Sequence, residues 1–294
     1  ATFTQITYDL TVDSTAGGSV TTPGEGTFPY NAGEVVELVA VADTGYEFVN
    51  WTGDTADIAD TSAASTTIAM NGDYSITANF IADLGYLIGG TDRGGTLDLP
   101  AGTYTGGTID KPMTMRGTEG TVIHGGITIG ELTGSEVTIE NLTITDYTDF
   151  GIKIVKVRAE DTFIIRNNTI QGVEGSITGI EVDEVEVGGS LTIEQNSISG
   201  NEVGIKLLAA VADAAIHFNG VTGNTVGLET LAIDSAADAG SNWWGDISGP
   251  KVEDGNPGGI GDEVVGDIPY EPWLTRDFQT VLDDNIAYFG FPMV

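Results

Sequence analysis

The sequence predicts an all-β protein in which a small β-rich repeat domain precedes a right-handed parallel β-helix, or β-solenoid. Glycine accounts for 42 of the 294 residues, and threonine, valine and isoleucine recur throughout, a composition that favours strands and tight turns. The N-terminal part alternates strand-like runs with turn residues, whereas the middle repeats one apolar pattern at intervals of 23 to 28 residues. These observations predict a first domain at 1–81, a β-helix at 85–250, and a C-terminal cap with an apolar tail at 251–294.

The charge balance limits the partners that the protein can bind. It has 44 aspartate and glutamate residues against 10 lysine and arginine residues, a formal net charge of −34. Such a surface repels nucleic acid and anionic membranes, so we expect no nucleic-acid partner. No uninterrupted apolar segment is long enough to span a bilayer, so we also expect no membrane span. The chain contains no cysteine, which excludes disulfides and thiolate chemistry.

The first residue bears on localisation. It is Ala1 rather than methionine, and no basic segment with an apolar segment follows it. This start is expected either for a mature secreted chain whose signal has been removed or for a chain cut at a chosen boundary.

The first domain is predicted to consist of short strands. In the last of them Tyr74, Ile76, Ala78 and Phe80 alternate with other residues, which predicts one buried face. Turns that contain glycine, asparagine or proline separate the strands. The predicted strands are Gln5–Val12, Val35–Ala42, Glu47–Trp51, Thr66–Met70 and Tyr74–Phe80.

Several strings of this domain resemble a bacterial surface repeat related to internalin B-repeats. They are Tyr8–Val12, Gly18–Val20, Asn31–Val36, Gly45–Asp54 and Met70–Phe80. The resemblance covers the whole domain and implies a small β-rich spacer on an extracellular or cell-surface protein, without catalytic residues. The aromatic residues Tyr46, Phe48 and Trp51 could pack in the core of such a domain or present a platform for a sugar.

The second region aligns with itself along four apolar columns and one asparagine column. The first two apolar columns step by 26, 28 and 23 residues, and the last two step by 28, 25 and 23 residues. Such common steps predict stacked coils. The apolar columns are Ile139, Ile165, Ile193 and Ile216; Ile144, Ile170, Ile198 and Val221; Ile152, Ile180, Ile205 and Leu228; and Ile154, Val182, Leu207 and Thr230. The asparagine column is Asn168, Asn196, Asn219 and Asn242.

Stacked coils give these columns a physical role. Each coil contributes short strands whose inward side chains stack on similar side chains of the next coil, about 4.8 Å away. Asparagine at a repeated bend can hydrogen-bond to the neighbouring coil and satisfy backbone groups that the bend leaves open. A leucine-rich repeat has a similar period, but it needs a helical segment in each repeat, which these glycine- and threonine-rich segments do not predict.

Segments on both sides of the columns resemble pectin-lyase-like β-helix proteins, over about residues 85–274. Gly95–Tyr104 and Ile109–Gly117 are similar to the entry coils of that family. Asn242–Pro250 resembles the terminal coil and cap of secreted bacterial and archaeal β-helix repeat proteins. The resemblance implies that Trp243 and Trp244, which follow the last ladder asparagine, close the open end of the stack.

The sequence assigns no catalytic residue. Polygalacturonase-like enzymes of this fold have paired aspartates on adjacent coils, a His-Gly and an Arg-x-Lys, and none of these occurs here at a matching position. The pair Asp283-Asp284 lies beyond the expected cap. Of the two histidines, His124 and His217, the second follows a column residue and is therefore expected to point outward.

One acidic loop is a calcium candidate. Oxygen-rich loops of this kind can bind Ca²⁺, and a calcium-dependent lyase would also need an arginine or lysine base. Because 44 acids also cluster by chance, the spacing is not diagnostic, and Ca²⁺ is an open alternative rather than an assigned cofactor. The metal candidates are Glu181, Asp183, Glu184 and Glu186, and the nearby basic residues are Lys153, Lys156, Arg158 and Arg166.

The last residues, from Ile286 to Val294, form the most apolar stretch of the chain. This tail can fold back on the β-helix, or it can pair with another subunit as an added strand and so make a homo-oligomer or filament. The strand at Ala1–Val12 could act in the same way. The assembly candidates are Ile286, Tyr288, Phe289, Phe291 and Val294.

Together these inferences favour a non-catalytic extracellular structural protein of a surface layer, a filament or an adhesive stalk. The β-helix would be a rigid rod and the first domain a spacer. One alternative is a carbohydrate-active lyase or hydrolase with a Ca²⁺-supported acidic groove. Another is a carbohydrate-binding module that contacts a cell-surface glycan through exposed aromatic residues such as Tyr147 and Phe150.

Overall fold

The structure of the protein is a computed structural model. It describes residues 5–173, 175–209, 211–231, 237–277 and 279–281, together with the backbone of Phe289–Gly290. The chain divides into two compact units, Ala1–Tyr86 and Leu87–Val294. About 52% of the residues are in strands and 4% in helix, which confirms the all-β prediction. Among the described residues, no helix is both long enough and apolar enough to cross a membrane.

The described part of the first unit consists of seven strands. They are β1 (Thr7–Ser14), β2 (Gly18–Thr22), β3 (Gly26–Asn31), β4 (Val35–Ala42), β5 (Tyr46–Gly53), β6 (Ser65–Ala69) and β7 (Tyr74–Ala82). Strand β1 pairs with β3 antiparallel and with β7 parallel, and β5 pairs with β7 antiparallel. A separate antiparallel sheet has the order β2-β4-β6. A short helix, α1 (Leu84–Gly90), follows β7.

Aromatic residues belong to the core of the first unit. The side chain of Trp51 is 2% exposed, and its Nε1 donates to the carbonyl oxygen of Ala63 at 3.0 Å. The ring of Phe48 is partly buried against the same core, with its centroid 5.7 Å from that of Trp51. Tyr46 remains 40% exposed. The alternative of a three-residue sugar platform is therefore wrong, because two of its three rings pack inward.

The second unit is a β-solenoid of about six turns, and each coil contributes strands to three walls. The first wall contains β8 (Thr96–Leu99), β10 (Met113–Gly117), β12 (Glu136–Glu140), β15 (Thr162–Arg166), β18 (Ser190–Glu194) and β21 (Ala214–His217). The second wall contains β13 (Thr143–Thr145), β16 (Thr169–Gln171), β19 (Ser197–Ser199) and β22 (Gly220–Thr222). The third wall contains β14 (Phe150–Ile154), β17 (Thr178–Val182), β20 (Val203–Leu207), β23 (Val226–Thr230) and β24 (Glu263–Val265). Two long strands, β9 (Gly102–Ile109) and β11 (Thr121–Ile129), run through the second and third walls.

The registers confirm all four apolar columns. The first column pairs along the first wall, the second along the second wall, and the third and fourth along the third wall. Every neighbouring strand of these columns is parallel, and the sixteen column side chains are at most 5% exposed. The core of the second unit is therefore the stack of identical or similar apolar residues that the repeat predicts.

The asparagine column is confirmed as a buried hydrogen-bond ladder. Asn168, Asn196, Asn219 and Asn242 are at most 1% exposed. At each step the backbone N–H and the Nδ2 of one asparagine donate to the Oδ1 of the next, at 2.9 to 3.1 Å. Each Nδ2 also donates to a backbone carbonyl of the first wall. The ladder therefore satisfies the backbone at the bend between the first and second walls.

A second buried ladder, at the bend between the second and third walls, was not predicted. The O–H of Tyr147 donates to Asn201 Oδ1 at 2.7 Å, two coils away. The N–H and Nδ2 of Asn201 donate to Asn224 Oδ1 at 3.0 and 2.9 Å. The same two groups of Asn224 donate to Asp262 Oδ2, both at 2.9 Å. Four residues of three types thus occupy the second ladder, and only its two asparagines are alike.

Candidate functional surface of the β-helix

The outer face of the third wall is a row of alternating charges. Lys153, Glu181, Lys206 and Glu229 occupy the same outward position on four successive coils. The Nζ of Lys153 lies 2.5 Å from a carboxylate oxygen of Glu181, and that of Lys206 lies 3.0 Å from one of Glu229. Each lysine of the row is therefore paired with a carboxylate of the next coil.

Of the four calcium candidates, Glu181 belongs to this row and the other three follow it in the chain, and each of the four is paired with a lysine. The Nζ atoms lie 2.5 to 3.0 Å from the carboxylate oxygens. Lys153 contacts Glu181 and Asp183, and Lys156 contacts Glu184 and Glu186. In the part of the chain that the structure describes, no group of three or more histidine, aspartate and glutamate side chains is placed to hold a metal ion. Calcium binding stays an untested prediction.

Two of the basic residues considered as catalytic bases, Lys153 and Lys156, have pKa values shifted in the wrong direction for that role. Burial lowers the pKa of Lys153, but its hydrogen bonds to Glu181 and Asp183 together raise it above the usual value. Hydrogen bonds to Glu186 and Glu184 raise the pKa of Lys156. A lysine that acts as a general base near neutral pH needs a lowered pKa so that it can be deprotonated. These lysines are held in their charged form instead.

The first wall bears a second alternating row on its outer face. Arg166 contacts Glu140 through both Nε and Nη2 at 2.7 Å, and the Glu140 side chain is only 9% exposed. His217 points outward, as predicted, with Nε2 3.2 Å from Asp238 Oδ2. Within the part of the chain that the structure describes, seven lysine and arginine side chains form ion pairs: Arg116, Lys153, Lys156, Arg158, Arg166, Lys206 and Lys251.

A groove follows the glycine-rich bend between the second and third walls. A pocket of about 310 Å³ is lined there by glycines, by Thr108 and Thr128, and by residues 146–150. The prediction that Tyr147 is exposed is wrong, because its side chain is 3% exposed and its O–H belongs to the second ladder. Burial accordingly raises the pKa of Tyr147. Phe150 is partly exposed in this pocket, with Lys153 Nζ 5.9 Å from its ring centroid.

The two tryptophans lie near the C-terminal end of the stack. Trp243 pairs with Gly220 of the second wall through an isolated bridge. Trp244 is fully buried and packs against Gly227. The chain after them adds β24 to the third wall, so the stack extends beyond both residues. Their role as a cap stays a prediction.

The apolar tail is described at two residues. The backbone of β26 (Phe289–Gly290) pairs antiparallel with β25 (Trp273–Leu274) of the same chain. This pairing corresponds to the alternative in which the tail folds back. The remaining assembly candidates, Ile286, Tyr288, Phe291 and Val294, lie outside the described residues. Association through the tail stays untested.

The fold defines the class of protein: a β-solenoid that follows a small β-rich domain. Residues 8–83 match the family model of the divergent InlB B-repeat domain, and residues 102–232 match that of the right handed beta helix region. The chain therefore has a divergent InlB B-repeat domain followed by a right-handed β-helix, as predicted. Neither a comparison with curated proteins nor one with solved structures gave a match. Both domains are typical of surface proteins, which suggests a surface or extracellular β-helix protein.

Proposed function

We propose that the chain is a non-catalytic structural protein of a cell surface or extracellular assembly, with the β-helix as a rigid rod and the first domain as a spacer. The observation that carries this proposal is the commitment of the basic side chains to ion pairs. Lys153 and Lys206 connect coils of the third wall, and Arg166 connects coils of the first wall. Basic side chains held in this way are occupied by their carboxylate partners rather than free to act on a substrate.

The interior supports the same role. Two buried ladders join successive coils at two of the bends, and four apolar columns fill the space between the walls. Buried polar groups that are fully hydrogen-bonded resist opening, because a broken bond leaves a donor or acceptor without water. A rod built in this way keeps its shape under load, which is what a stalk, filament or surface layer needs.

The alternative function is that of a carbohydrate-active enzyme, and an assay of product release distinguishes it from the structural role. The full chain is incubated with a panel of neutral and acidic polysaccharides, with and without Ca²⁺, and new reducing ends and unsaturated products are measured. We expect no release above that of heat-denatured protein. Release that is lost in Lys156→Met or Glu186→Gln, but kept in the matched surface variant Lys251→Met, would establish the enzyme and refute the structural proposal.

A further inference from the structure

The outer face of the second wall differs in composition from the other two walls. Its strands alternate between buried residues such as Ile144 and Ile198 and outward residues that lack a carboxylate, lysine or arginine. We call these outward residues the hydroxyl strip. They are Thr103, Thr105, Val122, His124, Thr143, Thr145, Thr169, Gln171, Ser197, Ser199, Gly220 and Thr222.

The lack of charge is unusual for this chain. The outer rows of the first and third walls are charged on successive coils, and the whole protein has a net charge of −34. His124 is the one titratable side chain of the strip, and its Nε2 lies 3.4 Å from Asp146 Oδ2 at the adjoining bend. The hydroxyl strip is therefore a nearly neutral path along a strongly acidic surface.

Most hydroxyl groups of the strip are available for a ligand. Thr103, Thr143, Thr145, Thr169, Ser197, Ser199 and Thr222 make no side-chain hydrogen bond within the part of the chain that the structure describes. Hydroxyl groups at the bends behave differently: Thr121 Oγ1 donates to Leu99 O at 3.0 Å, and Ser176 Oγ donates to Tyr147 O at 2.7 Å. Each available hydroxyl can both donate and accept, as a sugar hydroxyl does.

Glycines at the bend beside the strip leave the surface there free of side chains. The bend next to it contains Gly172 and Gly200, and a Cβ on Gly172 would come within 2.4 Å of the Gly200 carbonyl oxygen. A pocket of about 470 Å³ follows this bend over three coils, between Gly172 and Thr225. The pocket at residues 146–150 lies at the same bend on the preceding coils, and we call the two pockets together the groove beside the hydroxyl strip.

The strip is too small to form a stable interface with a second copy by itself. Six strands at about 4.8 Å spacing make the strip about 24 Å long, and two outward residues per strand make it about 7 Å wide. This area of roughly 170 Å² is far below the roughly 800 Å² per partner that a stable interface buries. A long and narrow surface fits a single extended polymer chain instead.

Charge and geometry reduce the choice of polymer. Nucleic acids and polyuronates are repelled by the surrounding acids, and the strip offers them no lysine or arginine. An extended peptide would bind through backbone hydrogen bonds at a sheet edge, whereas the strip is a sheet face. We propose that the hydroxyl strip and the groove beside it bind a neutral polysaccharide that lies along the coil stack. This inference adds a ligand to the proposed structural role.

The test is retention of the full chain on insoluble cellulose, chitin and starch, and its migration through gels that contain neutral glucan, mannan or polygalacturonate. The strip variant is Thr145→Glu with Ser199→Glu. The matched control is Thr138→Glu with Thr192→Glu, which adds the same charge to outward threonines of the first wall. We expect retention on at least one neutral polysaccharide, a loss of about tenfold or more in affinity for the strip variant, and less than about twofold change for the control.

Three results would overturn the inference: no retention on any neutral polysaccharide, equal losses in the two variants, or stronger binding to polygalacturonate than to the neutral polymers. A dimer that the strip variant abolishes in sedimentation velocity would assign the strip to a second copy instead and would also overturn it. Thermal midpoints of both variants verify that each is folded. The binding test and the product-release test fail separately. If the chain binds no neutral polysaccharide and releases no product, the inference about the strip fails while the proposed structural role stands.

Discussion

The two buried ladders of the β-helix satisfy neighbouring bends with different residues. The first repeats asparagine on four coils, whereas the second combines Tyr147, Asn201, Asn224 and Asp262. Both place side-chain donors and acceptors against the backbone of the next coil. The bend geometry therefore repeats even where the residue type does not. Only the ladder with a repeated residue type is visible in the sequence.

The ladders also differ at their C-terminal ends. The first ends at Asn242, whose Nδ2 donates to backbone carbonyls of Ile216, Ala239 and Gly240. The second ends at the carboxylate of Asp262, and burial raises the pKa of that group although hydrogen bonds from Asn224 and Gly223 oppose the shift. The first ladder is therefore neutral at every pH of interest, whereas the second can titrate.

The largest expected effect belongs to the first ladder. Asn196 accepts from the N–H and Nδ2 of Asn168 and donates to Ile165 O and Asn219 Oδ1. Asn196→Ala leaves several fully buried groups without partners, so we expect a loss of about 4 kcal/mol in the free energy of unfolding of the β-helix.

Denaturant titration measures this loss, with Thr192→Ala on the outer face of the same coil as the control. The control should stay within about 0.5 kcal/mol of the parent chain. A loss below about 1 kcal/mol for Asn196→Ala would mean that the first ladder does not hold the coils together.

The second ladder should contribute less than the first to the free energy of unfolding. Asn201→Ala breaks the bonds to Tyr147 and Asn224, but Asn224 is 8% exposed and can regain water more easily than a residue of the first ladder. We expect a loss of about 2 kcal/mol in the same titration. A loss equal to that of Asn196→Ala would remove the energetic difference between the ladders.

Asp262, the titratable end of the second ladder, should make the stability of the fold depend on pH with a known sign. Because the pKa of Asp262 is raised in the folded state, the folded chain holds this proton more tightly than the unfolded chain. The resulting stability is present at low pH and is lost as the pH rises from about 3.9, the usual aspartate pKa, through the raised folded value.

Asp262→Asn should remove this dependence. The stability of the parent chain minus that of the variant should fall across that pH range and become constant above it, as measured by thermal melts at a series of pH values. A constant difference throughout, or one that rises with pH, would contradict the assignment.

The smallest loss of stability is expected for an ion pair on the outer face of the third wall. Lys206 and Glu229 are each 24% exposed in their side chains and lie 3.0 Å apart. Lys206→Met should cost less than about 1 kcal/mol, and the cost should shrink in high salt. A salt-independent cost comparable to that of Asn196→Ala would place the main stabilisation on the surface instead of in the ladders.

The contrast between a repeated residue type and a mixed one also explains which parts of the fold could be predicted from the sequence. The apolar columns and the first ladder could be predicted because one residue type recurs at a nearly constant step, as at Ile165 and Ile193. The position of Tyr147 could not, because its partner Asn201 lies two coils away and no repeat connects the two types. The strands β2 and β3 could not be predicted because both are short and begin with glycine, and β3 also contains proline and asparagine. Their pairing with β4 and β1 decides their structure.

The candidate surface was predicted less well than the fold. The acidic loop was found by composition, but its pairing with Lys153 and Lys156 depends on which residues face each other across coils. The hydroxyl strip could have been found from the residues on either side of the second column. In Thr143-Ile144-Thr145 and Ser197-Ile198-Ser199 the column isoleucine points inward, so both of its neighbours point outward.

Native-state hydrogen exchange of the bend amides tests most directly whether the ladders make the β-helix rigid. The N–H groups of Asn168, Asn196 and Asn219 donate to buried Oδ1 atoms, so they should exchange only through global unfolding of the second unit. The N–H groups of Asn201 and Asn224 should exchange faster, through local opening. Exchange of the Asn196 N–H at a rate independent of denaturant, as for an exposed loop amide, would contradict the rigid-rod account.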